Sequence, residues 1–144
     1  MNPSMFFTKD EKNAITEAIA EAELNTSGEI RIHIEGKCKS ELLDRAAYIF
    51  GKLAMHKTEK RNGVLFYLAI SDRKFAILGD AGINKVTTDD FWDNIKEKMA
   101  GHFSEGKFTD GLIKGIKMAG EQLKSHFPYQ EDDINELPDD ISFG

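Results

Sequence analysis

Residues Arg61–Gly82 read RNGVLFYLAISDRKFAILGDAG, and this stretch decides the fold. Val64 to Ile70 is a nearly unbroken apolar run rich in strand formers, too short for a typical helix. Ser71-Asp72-Arg73-Lys74 is small, polar and charged, which suits a tight turn. Phe75 to Leu78 is a second apolar run. The two runs read as a hairpin of core strands. Because a hairpin reverses direction, Asn62-Gly63 and Gly79-Asp80-Ala81-Gly82 meet at one edge of the sheet. A side-chain amide, a carboxylate and glycine backbone are thereby brought together.

Upstream, Glu29–Glu35 alternates, with Ile30, Ile32 and Ile34 on one face and Arg31, His33 and Glu35 on the other. That pattern predicts a half-buried strand with a solvent-facing His33. Ser40 opens a helix whose stripe is Leu43, Ala46, Ala47, Phe50, Leu53 and Ala54. Strand, helix and strand make a crossover unit, so the first two strands are expected to run parallel. An earlier helix begins at the capping box Thr8-Lys9-Asp10-Glu11 and ends near Asn25-Thr26-Ser27-Gly28.

Downstream, Thr87 or Thr88 caps a third helix, with Asp89 and Asp90 in the first turn, where the dipole favours carboxylates. Gly101–Phe108 breaks it, and Thr109 caps a fourth helix. Gly115 and Gly120 are costly inside that helix and predict a close approach to another element. From Pro128 the character changes. The stretch 128–144 carries the acidic doublets Asp132-Asp133 and Asp139-Asp140 with no basic residue, and reads as a mobile, solvated tail after a domain spanning 1–127.

Composition bounds the function. The chain has 144 residues, enough for one domain with a core, and ten Phe supply bulk. A net charge of −6 with no basic cluster argues against a nucleic-acid surface. The single cysteine, Cys38, excludes an internal disulfide and a cysteine zinc site. No run approaches a membrane span and Met1–Phe7 has no long apolar segment, so the expectation is a soluble, cytoplasmic chain. There is no P-loop, nucleophile elbow or histidine pair at helical spacing.

The order of short motifs is informative. Ser27-Gly28-Glu29-Ile30, Arg61-Asn62-Gly63-Val64-Leu65, Asp72-Arg73-Lys74, Gly79-Asp80-Ala81-Gly82-Ile83 and Phe103–Leu112 follow one another at set spacings. In this the chain resembles the TPM domain family over about Phe6 to Phe127. Members of that family include a thylakoid-lumen acid phosphatase and photosystem repair proteins. The resemblance implies an α/β fold, a three-layer α/β/α sandwich with a small mixed sheet flanked by about four helices. It also implies calcium or magnesium bound in loops at one sheet edge, and phosphatase activity as attributed to some members.

Both ions take oxygen ligands from carboxylates, amides, backbone carbonyls and water. With the resemblance, the pairing of the strands selects Glu29, Asn62, Asp80 and Asp90 (or Asp89) to ring the cation. Gly63 and Gly82 would let the backbone approach it. Each residue also has a plain role: strand-start acid, turn former, cap or dipole partner. Arg61 is placed to help with a phosphate group, whereas Arg73 lies in the hairpin turn at the opposite end. The expectation is therefore a cation-binding domain with weak metal-dependent phosphatase activity. The alternative is a non-catalytic module whose metal-ordered loops meet a protein partner.

Overall fold

The computed structural model describes residues 2–129 and 141–144. Its four-stranded sheet has the order β3-β2-β1-β4. β1 (Glu29–Glu35) and β2 (Gly63–Ala69) run parallel, with Glu29 opposite Gly63 and Glu35 opposite Ala69. β3 (Lys74–Gly79) returns antiparallel along β2, placing Val64 opposite Gly79. β4 (Ser142–Phe143) pairs parallel to the outer edge of β1.

Period-2 alternation gives the sheet two buried faces. Ile30, Ile32, Ile34, Val64, Phe66 and Leu68 point to one face. There they meet α1 (Lys9–Glu23), α4 (Asp89–Ser104) and α5 (Phe108–His126) through Ile15, Ile19, Ile95, Met99, Leu112 and Ile116. Leu65, Tyr67 and Ala69 point to the other face, against Ala46, Ile49 and Phe50 of α2 (Leu42–Lys52). The result is the expected α/β/α sandwich, with five α-helices among the described residues where about four were expected. The extra one is α3 (Ala81–Asn84), a single turn after β3 that is too short to leave a periodic signal.

Side-chain caps set the starts of α1, α2 and α3, whereas Thr88 precedes α4 without making a cap bond. The capping box of α1 is formed: Thr8 Oγ1 accepts from the Glu11 N–H at 3.1 Å, and Glu11 Oε1 accepts from the Thr8 N–H at 2.9 Å. Glu11 Oε2 also accepts from the Thr109 hydroxyl at 2.8 Å, so Thr109 ties α5 to α1 rather than capping α5. Glu41, not Ser40, caps α2, accepting from the Asp44 N–H at 2.9 Å. The two interior glycines of α5 have the expected close neighbours. A Cβ on Gly120 would lie 2.7 Å from Ala22 Cβ, and one on Gly115 would lie 2.6 Å from Met99 Sδ.

Two expectations need correction. The polar face of β1 is not solvated: His33 is 4% exposed and Glu35 3%. α2 supplies an arginine to that face, and β4 covers its edge. The stretch after Pro128 also holds structure at both ends. Thr26 bridges Pro128, the Tyr129 N–H donates to Asn25 O at 2.9 Å, and the Gly144 N–H donates to Ile34 O at 2.9 Å. The tail expectation otherwise falls on 130–140, outside the described residues. Among the described residues no helix is long and apolar enough to cross a membrane.

Candidate functional site

The hairpin register brings the edge residues together. Gly63 O accepts from the Asp80 N–H at 2.9 Å, and Asn62 O accepts from the Glu29 N–H at 3.4 Å. Glu29, Asn62 and Asp80 are all buried, at 2%, 1% and 6% exposure. The Asn62 amide donates to Ser27 Oγ at 3.3 Å. The Gly82 N–H donates to Arg61 O at 2.8 Å. A Cβ on Gly82 would sit 2.1 Å from Lys60 O and 2.6 Å from Arg61 O, so only glycine lets this turn close on α3.

Asp80 accepts three hydrogen bonds at this edge. It caps α3 by accepting from the Ala81 N–H at 2.8 Å. It also takes a two-pronged bond from Arg61, Nε to Oδ2 and Nη2 to Oδ1, each 2.7 Å. These bonds raise the Arg61 pKa. Arg61 stands on left-handed backbone (φ 51°) with its side chain 49% exposed, while Asp80 is 6% exposed. The pair is thus a buried anion held by a cation reaching in from solvent.

Glu29, Asn62, Asp80 and Gly82 therefore share one sheet edge, as the strand pairing requires. Asp89 and Asp90 occupy the exposed first turn of α4. Among the described residues, no group of three or more His, Cys, Asp or Glu is arranged to hold a metal ion. The donor chemistry at the edge nonetheless suits a hard cation, being carboxylate, amide and backbone carbonyl oxygen. Asp80 already balances a positive charge there, supplied by Arg61.

A second polar cluster lies under β4 and went unrecognised in the sequence. Glu35 accepts two parallel bonds from Arg45, Nε to Oε2 and Nη2 to Oε1, each 2.9 Å. The Tyr67 hydroxyl donates to Glu35 Oε2. His33 Nε2 lies 3.2 Å from Glu35 Oε1 and its Nδ1 lies 2.9 Å from Ser142 Oγ. An ionised carboxylate only accepts, so Nε2 carries the proton and Nδ1 accepts from Ser142. Burial pushes the Glu35 carboxyl up, but the bonds from Arg45, Tyr67 and His33 outweigh it and hold it at about 2. Burial lowers the His33 pKa, and Glu35 offsets only part of that. Burial raises the Tyr67 pKa, and its bond to Glu35 adds to the rise. Every member of the cluster has a partner, so it fastens β1, β2, α2 and β4 together. The missed signal was Arg45 itself, a cation between the apolar positions Leu42 and Ile49 of α2.

The sequence matches the family model of the TPM domain over residues 2–122. A comparison with curated proteins gave no match. Among solved structures, the chain is similar to the BA42 protein of the psychrophilic bacterium Bizionia argentinensis, determined by NMR. The identity is 47%, 96% of each chain is covered, and the TM-score is 0.91. The N-terminal domain of the cg2496 protein of Corynebacterium glutamicum shares the fold at 12% identity and a TM-score of 0.67, covering 91% of this chain and 82% of that one. So does the N-terminal domain of a protein from P. gingivalis, at 14% identity and a TM-score of 0.69, covering 89% and 85%. On the family match and on the sandwich and sheet order described above, the chain belongs to the TPM domain family.

Proposed function

We propose that this domain binds calcium or magnesium at the Glu29–Asn62–Asp80–Gly82 edge, the cation replacing the guanidinium of Arg61 on Asp80. The supporting observation is the Arg61–Asp80 fork: a buried carboxylate whose charge is balanced by a half-exposed side chain on left-handed backbone. The Arg61 side chain reaches Asp80 from solvent, so it can leave without opening the packed interior. Asp80, the Asn62 amide and the carbonyls of Lys60 and Arg61, which Gly82 lets close in, would hold the ion. Exposed Asp89 and Asp90 would add charge to attract it.

The same exchange frees a guanidinium beside the cation. A bound cation supplies Lewis acidity, and an arginine supplies a planar clamp for phosphate. Weak metal-dependent hydrolysis of phosphate monoesters is therefore the second reading. Cation binding without turnover would leave a non-catalytic module whose ordered loops meet a protein partner.

The test is a residue-resolved NMR titration of chelator-stripped protein with calcium, then magnesium. Saturable shifts at Glu29, Asn62 and Asp80–Gly82 are expected. Asp80→Asn should abolish them, and Arg61→Ala should tighten binding several-fold by removing the competitor. Shifts confined to 131–140, or an unchanged affinity in Asp80→Asn, would refute the site. A generic phosphate monoester, with and without EDTA, then decides the second reading.

A further inference from the structure

The opposite end of the sheet holds a cavity of about 650 Å³, within the usual range of small-molecule sites. It opens at the C-terminal end of β2, lined there by Leu68, Ala69 and the following Ile70. Four phenylalanines, Phe6, Phe75, Phe103 and Phe108, wall it. Their rings form an unbroken chain. Phe6 meets Phe108 at 5.2 Å, Phe108 meets Phe103 at 5.5 Å, and Phe103 meets Phe75 at 5.0 Å. None of the four is fully buried, and Phe108 is 37% exposed.

The charged side chains lining this cavity are both cationic: Arg73 of the hairpin turn and Lys74, the first residue of β3. The acids adjacent in sequence have partners of their own. Asp72 Oδ2 accepts from the Cys38 N–H at 2.6 Å, and Glu105 pairs with Lys107 at 3.3 Å. The start of α5 (Phe108) and the end of α4 (Ala100, Phe103 and Ser104) both line the cavity, so the two helix dipoles offset each other there and the positive charge comes from Arg73 and Lys74. In a chain of net charge −6, an aromatic cavity rimmed by cations runs against the background.

We propose that this cavity binds an aromatic monoanion, a flat ring system bearing one carboxylate or similar group. The ring system lies among the four phenylalanines, and the anionic group meets Arg73 and Lys74. Edge and face contacts with aromatic walls favour a ring over an alkyl chain. The site is separate from the Asp80 edge and needs no metal.

The test titrates the full chain with 1-naphthoate in the presence of EDTA, followed by residue-resolved NMR. Saturable shifts at Ile70, Arg73–Phe75 and Phe103–Phe108 are expected. The uncharged isostere 1-naphthamide should bind at least tenfold more weakly. So should naphthoate to the double variant Arg73→Asn, Lys74→Gln, in which asparagine tolerates the left-handed φ of 55° at position 73. Ser104→Trp, at an exposed lining position, should fill the cavity and abolish binding. Absence of saturation, shifts elsewhere, or equal affinity for the amide would overturn the proposal. Octanoate binding as tightly as naphthoate would overturn the aromatic assignment in favour of a fatty acid.

Discussion

Replacing Glu35 with glutamine isolates the electrostatic worth of the cluster beneath β4. Its carboxyl sits at about 2 against an ordinary value of 4.5, with its side chain 4% exposed. At about 1.4 kcal/mol per pKa unit, that depression corresponds to about 3 kcal/mol of stability at neutral pH. The sign follows from the direction of the shift. A carboxyl whose folded pKa is depressed stabilises the native state above its unfolded pKa, and that stability drains away as pH falls toward 2. Linkage leaves about 1 kcal/mol at pH 3. Glu35→Gln keeps the shape but loses the charge, and leaves the partly buried Arg45 beside a neutral amide. Urea denaturation at pH 7 should therefore find the variant less stable by about 3 kcal/mol. At pH 3 the gap should narrow by about 2 kcal/mol. A gap equal at both pH values would show that the penalty is packing rather than charge. A gap below about 1 kcal/mol at pH 7 would show that burial cancels the arginine fork.

Three shorter predictions follow from single contacts. Gly82→Ala drives a methyl into Lys60 O at 2.1 Å, so chemical denaturation should find a loss of about 2–3 kcal/mol, and a loss under about 1 kcal/mol would contradict the tight turn. Deleting residues 141–144 uncovers His33, which β4 helps to bury; its imidazole pKa, followed by NMR, should rise toward the ordinary 6.5, and an unchanged value would mean that β4 does not desolvate it. In the intact chain His33 is held neutral, so acidification below about pH 6.5 works against folding in the same direction as Glu35. Thr8→Ala removes the α1 cap and should cost about 1 kcal/mol by thermal unfolding, with no change if Glu11 alone secures that helix start.

What could be read from the sequence depended on how local its cause was. The hairpin register was legible because a four-residue turn joins two strands of period 2, and Val64 opposite Gly79 follows from it. Parallel pairing of β1 and β2 followed from the intervening helix, and it put Glu29 at the same edge as Asn62 and Asp80. β4 left no such trace. Ser142 meets His33 across more than a hundred residues, in a strand only two residues long. Without β4, an alternating strand reads as half-solvated, which is why His33 was placed in water. The Arg61–Asp80 fork was half legible. The register put both residues at one edge, but which charge would take Asp80 depended on a left-handed φ at Arg61, which favours glycine and asparagine and is not announced by arginine.

The sheet separates the features from one another. β2 spans seven residues, about 23 Å at 3.3 Å per residue, with the Asp80 edge at its start and the aromatic cavity beyond its end. The Glu35 cluster lies near the cavity end but points to the α2 face, whereas Leu68, Phe75 and Phe103 belong to the three-helix face. Between the Asp80 edge and the other two features lies the fully buried middle of the sheet, built around Phe66 and Ile32. Close-packed apolar strands resist small displacements, and substitutions more than about 10 Å apart with no shared partner have nearly additive effects. The proposed exchange of a cation with Arg61 would therefore change a loop and the cap of α3 while leaving the phenylalanine walls in place. Arg73 and Lys74, correspondingly, can be neutralised without touching the oxygens that face Arg61. The hairpin thus gives one small domain two chemically opposite ends, carboxylate and carbonyl oxygens at the start of β2 and cations beside aromatic rings at its end.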